Sequence, residues 1–155
     1  MIEFTFNTDF ILDNKEHISD WLVSLANSEG FTIKNLHYNF VSAEKIRSIN
    51  NQFLNHDYPT DVIAFDYCED KELSGEVFVC QKIVEKNAVY YSQTIENETL
   101  RVLCHALFHL CGHKDKSSKD LVIMRSAEDK AISVFHSTYK YSIFAQMFHV
   151  KQLYV

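Results

Sequence analysis

Eleven consecutive residues carry the chemistry that is readable directly: His105-Ala106-Leu107-Phe108-His109-Leu110-Cys111-Gly112-His113-Lys114-Asp115. His105 and His109 are four apart, so on a helix their imidazoles share one face, one turn apart. Neutral imidazole is a good zinc ligand at about 2.0–2.1 Å, and a catalytic zinc typically takes three protein donors plus water. The third donor must come from beyond the straight helix. Gly112 can turn the chain back, because glycine enters the left-handed conformation without steric cost. Three residues later stands Asp115, a short carboxylate. His113, directly after the glycine, is the competing third ligand. We favour Asp115, because a side chain so close to the turn points less readily back at the pair. Two histidines at this spacing also occur as core groups, but in an apolar helix both need partners.

The spacing H-x-x-x-H-x-x-G-x-x-D is close to the metzincin protease pattern, H-E-x-x-H-x-x-G-x-x-H. In those proteases the glutamate after the first histidine is the general base. Here that position is Ala106, which takes no proton. The ligand spacing is kept and the peptidase base is missing, so a peptidase reading loses its main support.

The elements that must position this segment follow from hydrophobic periodicity. Residues 2–7 alternate as a half-buried strand. Residues 14–28 put Ile18, Trp21, Leu22 and Leu25 on one helical face, with Gly30 as a stop. Residues 31–40 alternate again, with a slip near Asn35 that predicts a bulge. Ser42 caps a helix through Leu54, and Pro59 breaks the chain. Residues 61–67 and 75–80 predict two strands joined as a hairpin by the acidic loop 69–72. A helix over 81–93 follows, then one capped by Asn97 over 98–111. Apolar almost all round, this last helix is predicted to be buried. Ser117 with Asp120 predicts a helix start near 117 and an end near Phe135. The expected fold is a single mixed α/β (α+β) domain over residues 1–135: a small mixed sheet with packed helices and a zincin-like metal helix. Residues 136–155, rich in aromatics such as Phe144, Phe148 and Tyr154, read as an extension of unknown role: a docking helix, an edge strand or an oligomer contact.

Composition bounds the function. The 155 residues carry 15 Lys+Arg against 21 Asp+Glu, a formal −6, which argues against a broad DNA-binding surface. Residues 101–130 are the exception, with six basic against four acidic side chains. No apolar run reaches the roughly 20 residues of a membrane helix, and the N-terminus does not read as a signal peptide, so the expected location is cytoplasmic. Cys68, Cys80, Cys104 and Cys111 form no C-x-x-C pair and read as reduced, mostly buried thiols.

The 105–115 segment resembles the motif H-G-x-L-H-L-x-G-Y-D-H of the YbeY family, single-strand-specific metallo-endoribonucleases of bacterial ribosomal RNA maturation. Upstream, residues 50–65 (NNQFLNHDYPTDVIAF) are similar to the family's L-N-x-x-Y-R-x-x-D-x-P-T-D-V-L-S-F, and Gly75-Glu76-Val77 to its G-D-I. The resemblance covers about 40–135. It implies one zinc ion per chain on His105, His109 and Asp115, with His105 at the reaction centre, and Asp115 standing where most members have histidine. It implies cleavage of single-stranded RNA, action on ribosomal RNA at the 16S 3′ end and in ribosome quality control, and the ribosome or its small subunit as partner. The family's arginine in the Y-R step falls on Leu54, with Arg47 as a substitute cation. Lys114 and Lys116 are candidate phosphate contacts, alongside Arg101, Lys119 and Arg125. His56 and Tyr58 are candidate base-stacking groups. Asp61, in the T-D pair, is a candidate to orient a metal-bound histidine. Zinc would activate a water or a ribose 2′-hydroxyl and polarise a phosphoryl oxygen. The reading of a different class is a ribosome assembly or binding protein whose zinc, with four protein donors, is structural.

Overall fold

The computed structural model describes residues 1–153, with side chains through residue 140. The elements run β1 (Ile2–Phe6), α1 (Lys15–Ser28), β2 (Thr32–Phe40), α2 (Ala43–Leu54), β3 (Val62–Asp66), β4 (Glu72–Val79), α3 (Gln81–Tyr90), α4 (Ile95–Leu110) and α5 (Ser118–Leu153). The sheet order is β1-β2-β4-β3. β1 and β4 flank β2 in parallel, and β3 pairs antiparallel with β4, so the sheet is mixed as expected. The expected slip in β2 lies between Ile33 and Asn35.

Alternation divides the core. Leu36, Tyr38 and Phe40 of β2, and Leu73, Val77 and Val79 of β4, face α1, α4 and α5. Ile63 of β3, with half-buried Phe78 of β4, faces α2 through Ile46 and Ile49. Leu100, Leu103 and Leu107 of α4 are almost wholly buried. Each contributes about 1.5–3 kcal/mol over an exposed side chain, so packing fixes the helix that carries the histidines. Two buried hydrogen bonds set its neighbours: Tyr38 donates to the Leu103 carbonyl at 2.9 Å, and Trp21 to the Ala131 carbonyl at 2.8 Å. Gly75 lets the end of α4 approach β4. A Cβ there would meet the Phe65 carbonyl oxygen at 2.8 Å and Leu110 at 3.3 Å.

Four boundaries differ from expectation by three residues or more. α3 ends at Tyr90 and not at 93, and Ser92 just beyond it is left-handed at φ 54°. α4 starts at Ile95, because Thr94 rather than Asn97 is the cap; its hydroxyl accepts from the Asn97 amide at 3.0 Å. β4 starts at Glu72, because a Glu69–Glu72 bridge closes a two-residue turn with Asp70 left-handed at φ 53°. α5 starts as expected, with the Ser117 hydroxyl accepting from the Asp120 amide, but it continues past Phe135 to Leu153. No glycine or proline between 136 and 153 interrupts it. An edge strand over that stretch is therefore excluded. Phe144 and Phe148 lie beyond the described side chains, and Tyr154 lies outside the described residues. Among the described residues, no helix is long and apolar enough to cross a membrane.

Candidate metal centre

The last two turns of α4 bury Ala106, Leu107 and Leu110 and leave His105 and His109 half-buried at the core's edge. Gly112, at φ 98°, ends the helix. Its amide bonds the His109 carbonyl at 3.0 Å and the His113 amide bonds the Phe108 carbonyl at 2.9 Å, the Schellman closure. That closure swings the chain back so that Asp115 faces the pair. Nε2 of His105 and of His109 are 3.1 Å apart, and Asp115 Oδ2 lies 2.9 Å from His109 Nε2 and 3.6 Å from His105 Nε2. Among the described residues this is the one group of His, Cys, Asp or Glu whose donor atoms converge on a possible ion.

The donor set fits a divalent metal for a reason visible in the hydrogen bonds. His109 Nδ1 is 3.0 Å from the His113 carbonyl oxygen, which only accepts, so Nδ1 carries the proton and donates. His105 Nδ1 is 2.6 Å from Glu128 Oε2 and donates to it. In their neutral forms both rings therefore turn bare Nε2 lone pairs towards each other and towards a carboxylate oxygen. Three acceptors without a proton repel unless a cation lies between them. Tetrahedral zinc with ligands at about 2.0–2.1 Å would need donors about 3.3 Å apart, close to the observed 2.9–3.6 Å.

Glu128 of α5 is itself anchored. It is 4% exposed, and its Oε1 accepts from Arg101 Nη1 at 3.0 Å while Arg101 Nη2 donates to Asp129 at 2.7 Å. A guanidinium fork suits this double pairing. Glu98 lies 3.9 Å from Arg101 Nε. Burial raises the Glu98 pKa above the ordinary carboxylate value. Burial alone would lower the pKa of His105, but the Glu128 hydrogen bond and charge, with Asp115 and Asp61, outweigh it and raise it.

A sequence profile described as Endoribonuclease YbeY matches residues 5–136. The chain belongs to the YbeY endoribonuclease family. It is 43% identical to the endoribonuclease YbeY of Flavobacterium johnsoniae over 136 residues, covering 88% of this chain and 98% of that one. To the endoribonuclease YbeY of Bacteroides thetaiotaomicron it is 38% identical over 120 residues, 77% and 88% of the two chains. Its fold is similar to the solution structure of TM1509 from Thermotoga maritima, with a TM-score of 0.63, 29% identity, and coverage of 92% and 93%.

The family's expected site residues fall differently in space. His105, His109 and Asp115 converge. The ring of His113 points elsewhere, its Nε2 3.0 Å from Glu29, and only its carbonyl serves the group. The carboxylate that holds His105 is Glu128 and not Asp61, whose oxygens accept from Thr60 at 3.3 Å and from Asn87 at 3.5 Å. Arg101, expected to face RNA, is committed to Glu128 and Asp129. Arg47 pairs with Asp57 through two bonds of 2.9 and 3.3 Å, both groups exposed. Lys114 and Lys116 flank Asp115 in solvent. Leu54, at the position where the resemblance implies an arginine, is 48% exposed and carries no charge. Met124 is core, 2% exposed. Ala106 is buried, so the peptidase base has no substitute there. Glu128 escaped the sequence reading, though a signal was present: it lies in the same helical stripe as Met124, Ala131 and Phe135. A glutamate inside an apolar stripe needs a partner.

Proposed function

We propose that the protein is a metal-dependent endoribonuclease, holding one zinc ion on His105, His109 and Asp115 and cutting single-stranded ribosomal RNA during ribosome maturation in the cytoplasm. The observation that carries this reading is the convergence of two histidine Nε2 atoms and a carboxylate oxygen in a chain of the YbeY endoribonuclease family. The side chains of Asp115 and His109 are 36% and 31% exposed, so one side of the group is open to a substrate. An open three-donor group favours a catalytic ion over a structural one, which takes four protein donors.

Bound there, the ion would supply Lewis acidity, easing deprotonation of a water or a 2′-hydroxyl and neutralising charge that builds on the phosphate. The chain's own residues set the stage for it. Glu128 and the His113 carbonyl lock both imidazoles in the tautomer that presents Nε2 outward. Lys114 and Lys116, beside Asp115, are free to meet the phosphates that flank the cut, and Arg47 can do so by exchanging Asp57 for a phosphate oxygen. The 16S 3′ end is the proposed target, with the small ribosomal subunit as the partner that presents it.

The test is metal content and cleavage in the same samples. Purified wild type should carry one zinc per chain and cut a single-stranded RNA, and His109→Ala should lose both. Zinc present without cleavage would turn the assignment towards a ribosome-binding protein; zinc absent from both samples would refute the metal site.

A further inference from the structure

Beside His105, a cavity of about 200 Å³ opens between α3, α4, α5 and the start of β3. Its wall includes Asp61, Asn87, Tyr91, Glu98 and Arg125 as well as His105. Two features mark it as built for a ligand. Glu98 is only 5% exposed, and among the described residues its Oε2 has no hydrogen-bond partner, its nearest cationic atom being Arg101 Nε at 3.9 Å, which is likewise without a hydrogen bond. At the rim, the Arg125 guanidinium lies 6.0 Å from the centre of the exposed Tyr91 ring, giving a planar cation and an aromatic face at one mouth.

The charge pattern narrows the ligand. Three carboxylates, Asp61, Glu98 and Glu128, face two guanidiniums, and that of Arg101 is already paired. Such a wall repels phosphate. It is also not a second cation site, since among the described residues the donor atoms converge only at His105, His109 and Asp115. The carboxylates of Glu98 and of Asp61, whose own contacts to Thr60 and Asn87 are long at 3.3 and 3.5 Å, suit a flat group with adjacent N–H donors. Of the four RNA bases, guanine alone presents two neighbouring donors, N1–H and the 2-amino group, on its Watson–Crick edge. Single-stranded RNA is read on those edges, with the base face stacked on aromatic or arginine planes.

We propose that this cavity is the base subsite of the nuclease, taking a guanine next to the scissile phosphate, with Asp61 and Glu98 accepting from its edge and Tyr91 and Arg125 covering its face. The assignment deepens the endoribonuclease reading and rests on it. It makes Asp61 a specificity residue.

The test separates the two readings. The full chain, kept metal-free with EDTA, is titrated with the 5′-monophosphates of guanosine, adenosine, cytidine and uridine while the backbone amide signals of Asn87, Tyr91 and Arg125 are followed. The phosphate is common to all four, so differences report the base. Guanosine monophosphate should bind about tenfold tighter than the others, Asp61→Asn should erase the difference, and Tyr91→Ala, at an exposed position, should weaken all four. Equal binding of the four, no shift at these amides, or a preference unchanged in both Asp61→Asn and Glu98→Gln would overturn the subsite. Cut sites of the zinc-loaded enzyme on a mixed-sequence single strand should lie beside guanine. Guanine-selective binding with base-indifferent cuts would overturn the assignment to the RNA substrate. Absence of any cleavage would count against the nuclease reading alone, because the titration stands without it.

Discussion

Two polar regions of the molecule invite comparison: the end of α4 with its loop and the α5 groups behind it, and α2 with its connection to β3, which carry Arg47, His56, Asp57 and Tyr58. In the first, His105, His109, Asp115 and Glu128 are half-buried or deeper and each is held by another group. His109 donates to a carbonyl, His105 to Glu128, and Glu128 accepts from Arg101. In the second, the groups are exposed and hold mainly one another. Arg47 pairs with Asp57, and His56 stacks on Tyr58 at 5.4 Å. Exposed ion pairs contribute little to stability because water competes for both partners. The first region is therefore preorganised for chemistry, and the second is free to exchange its partners for a nucleic acid.

Substitutions should expose this contrast, and the largest effect is expected at the metal group. His109→Ala removes one of three donors, and metal content should fall to background with RNA cleavage lost alongside it. Next come the two arginines. Arg101→Met leaves Glu128 buried without its cation and should destabilise the fold by about 3 kcal/mol, read by urea unfolding. Arg47→Met should leave the unfolding midpoint unchanged and act only on RNA affinity. Equal destabilisation by the two would erase the distinction between the regions.

Glu128→Gln keeps shape and removes charge. Orienting partners of this kind are worth about 10–100-fold in metal affinity, and competition with a chelator would measure it. Leu54→Arg should sharpen the second region. The position is exposed, so the fold tolerates it. An added phosphate contact should steepen the dependence of log affinity on log salt by about 0.7 for single-stranded RNA.

The smallest effect is in pH. The metal-free protein holds His105 above the ordinary histidine pKa. Its folded form therefore binds that proton more tightly than the unfolded chain does. The resulting stability is complete below the unfolded histidine value, near 6.5, and is lost as pH rises through the raised folded value. His105→Gln should remove that part of the pH dependence from thermal unfolding curves in EDTA.

Much of this was legible in the amino-acid order. The i, i+4 histidines, the glycine after them and the carboxylate three residues on are local features, and local spacing on a helix and its cap dictates where they point. The same holds for Ser42 and Ser117 as caps and for the slip near Asn35. Longer-range features were not legible in this way. Thr94 and Asn97 both satisfy cap preferences, and only the packing of α4 settles which one starts the helix. The end of α5 was missed because Phe135 marks a limit of burial and not a break in the backbone.

The sequence by itself determined the facing histidine pair with a carboxylate just beyond the helix end, the absence of a peptidase base at Ala106 and the strands of the sheet, because each follows from neighbours within a few residues or from alternation along a strand. Tertiary structure alone decided which carboxylate holds His105. Asp61 and Glu128 are 44 and 23 residues away along the chain, and only the docking of α5 against α4 brings Glu128 to 2.6 Å while Asp61 turns to Asn87. Hydrogen bonds reach about 3 Å, so a partner contributed by another element is assigned by packing, whatever its residue type allows.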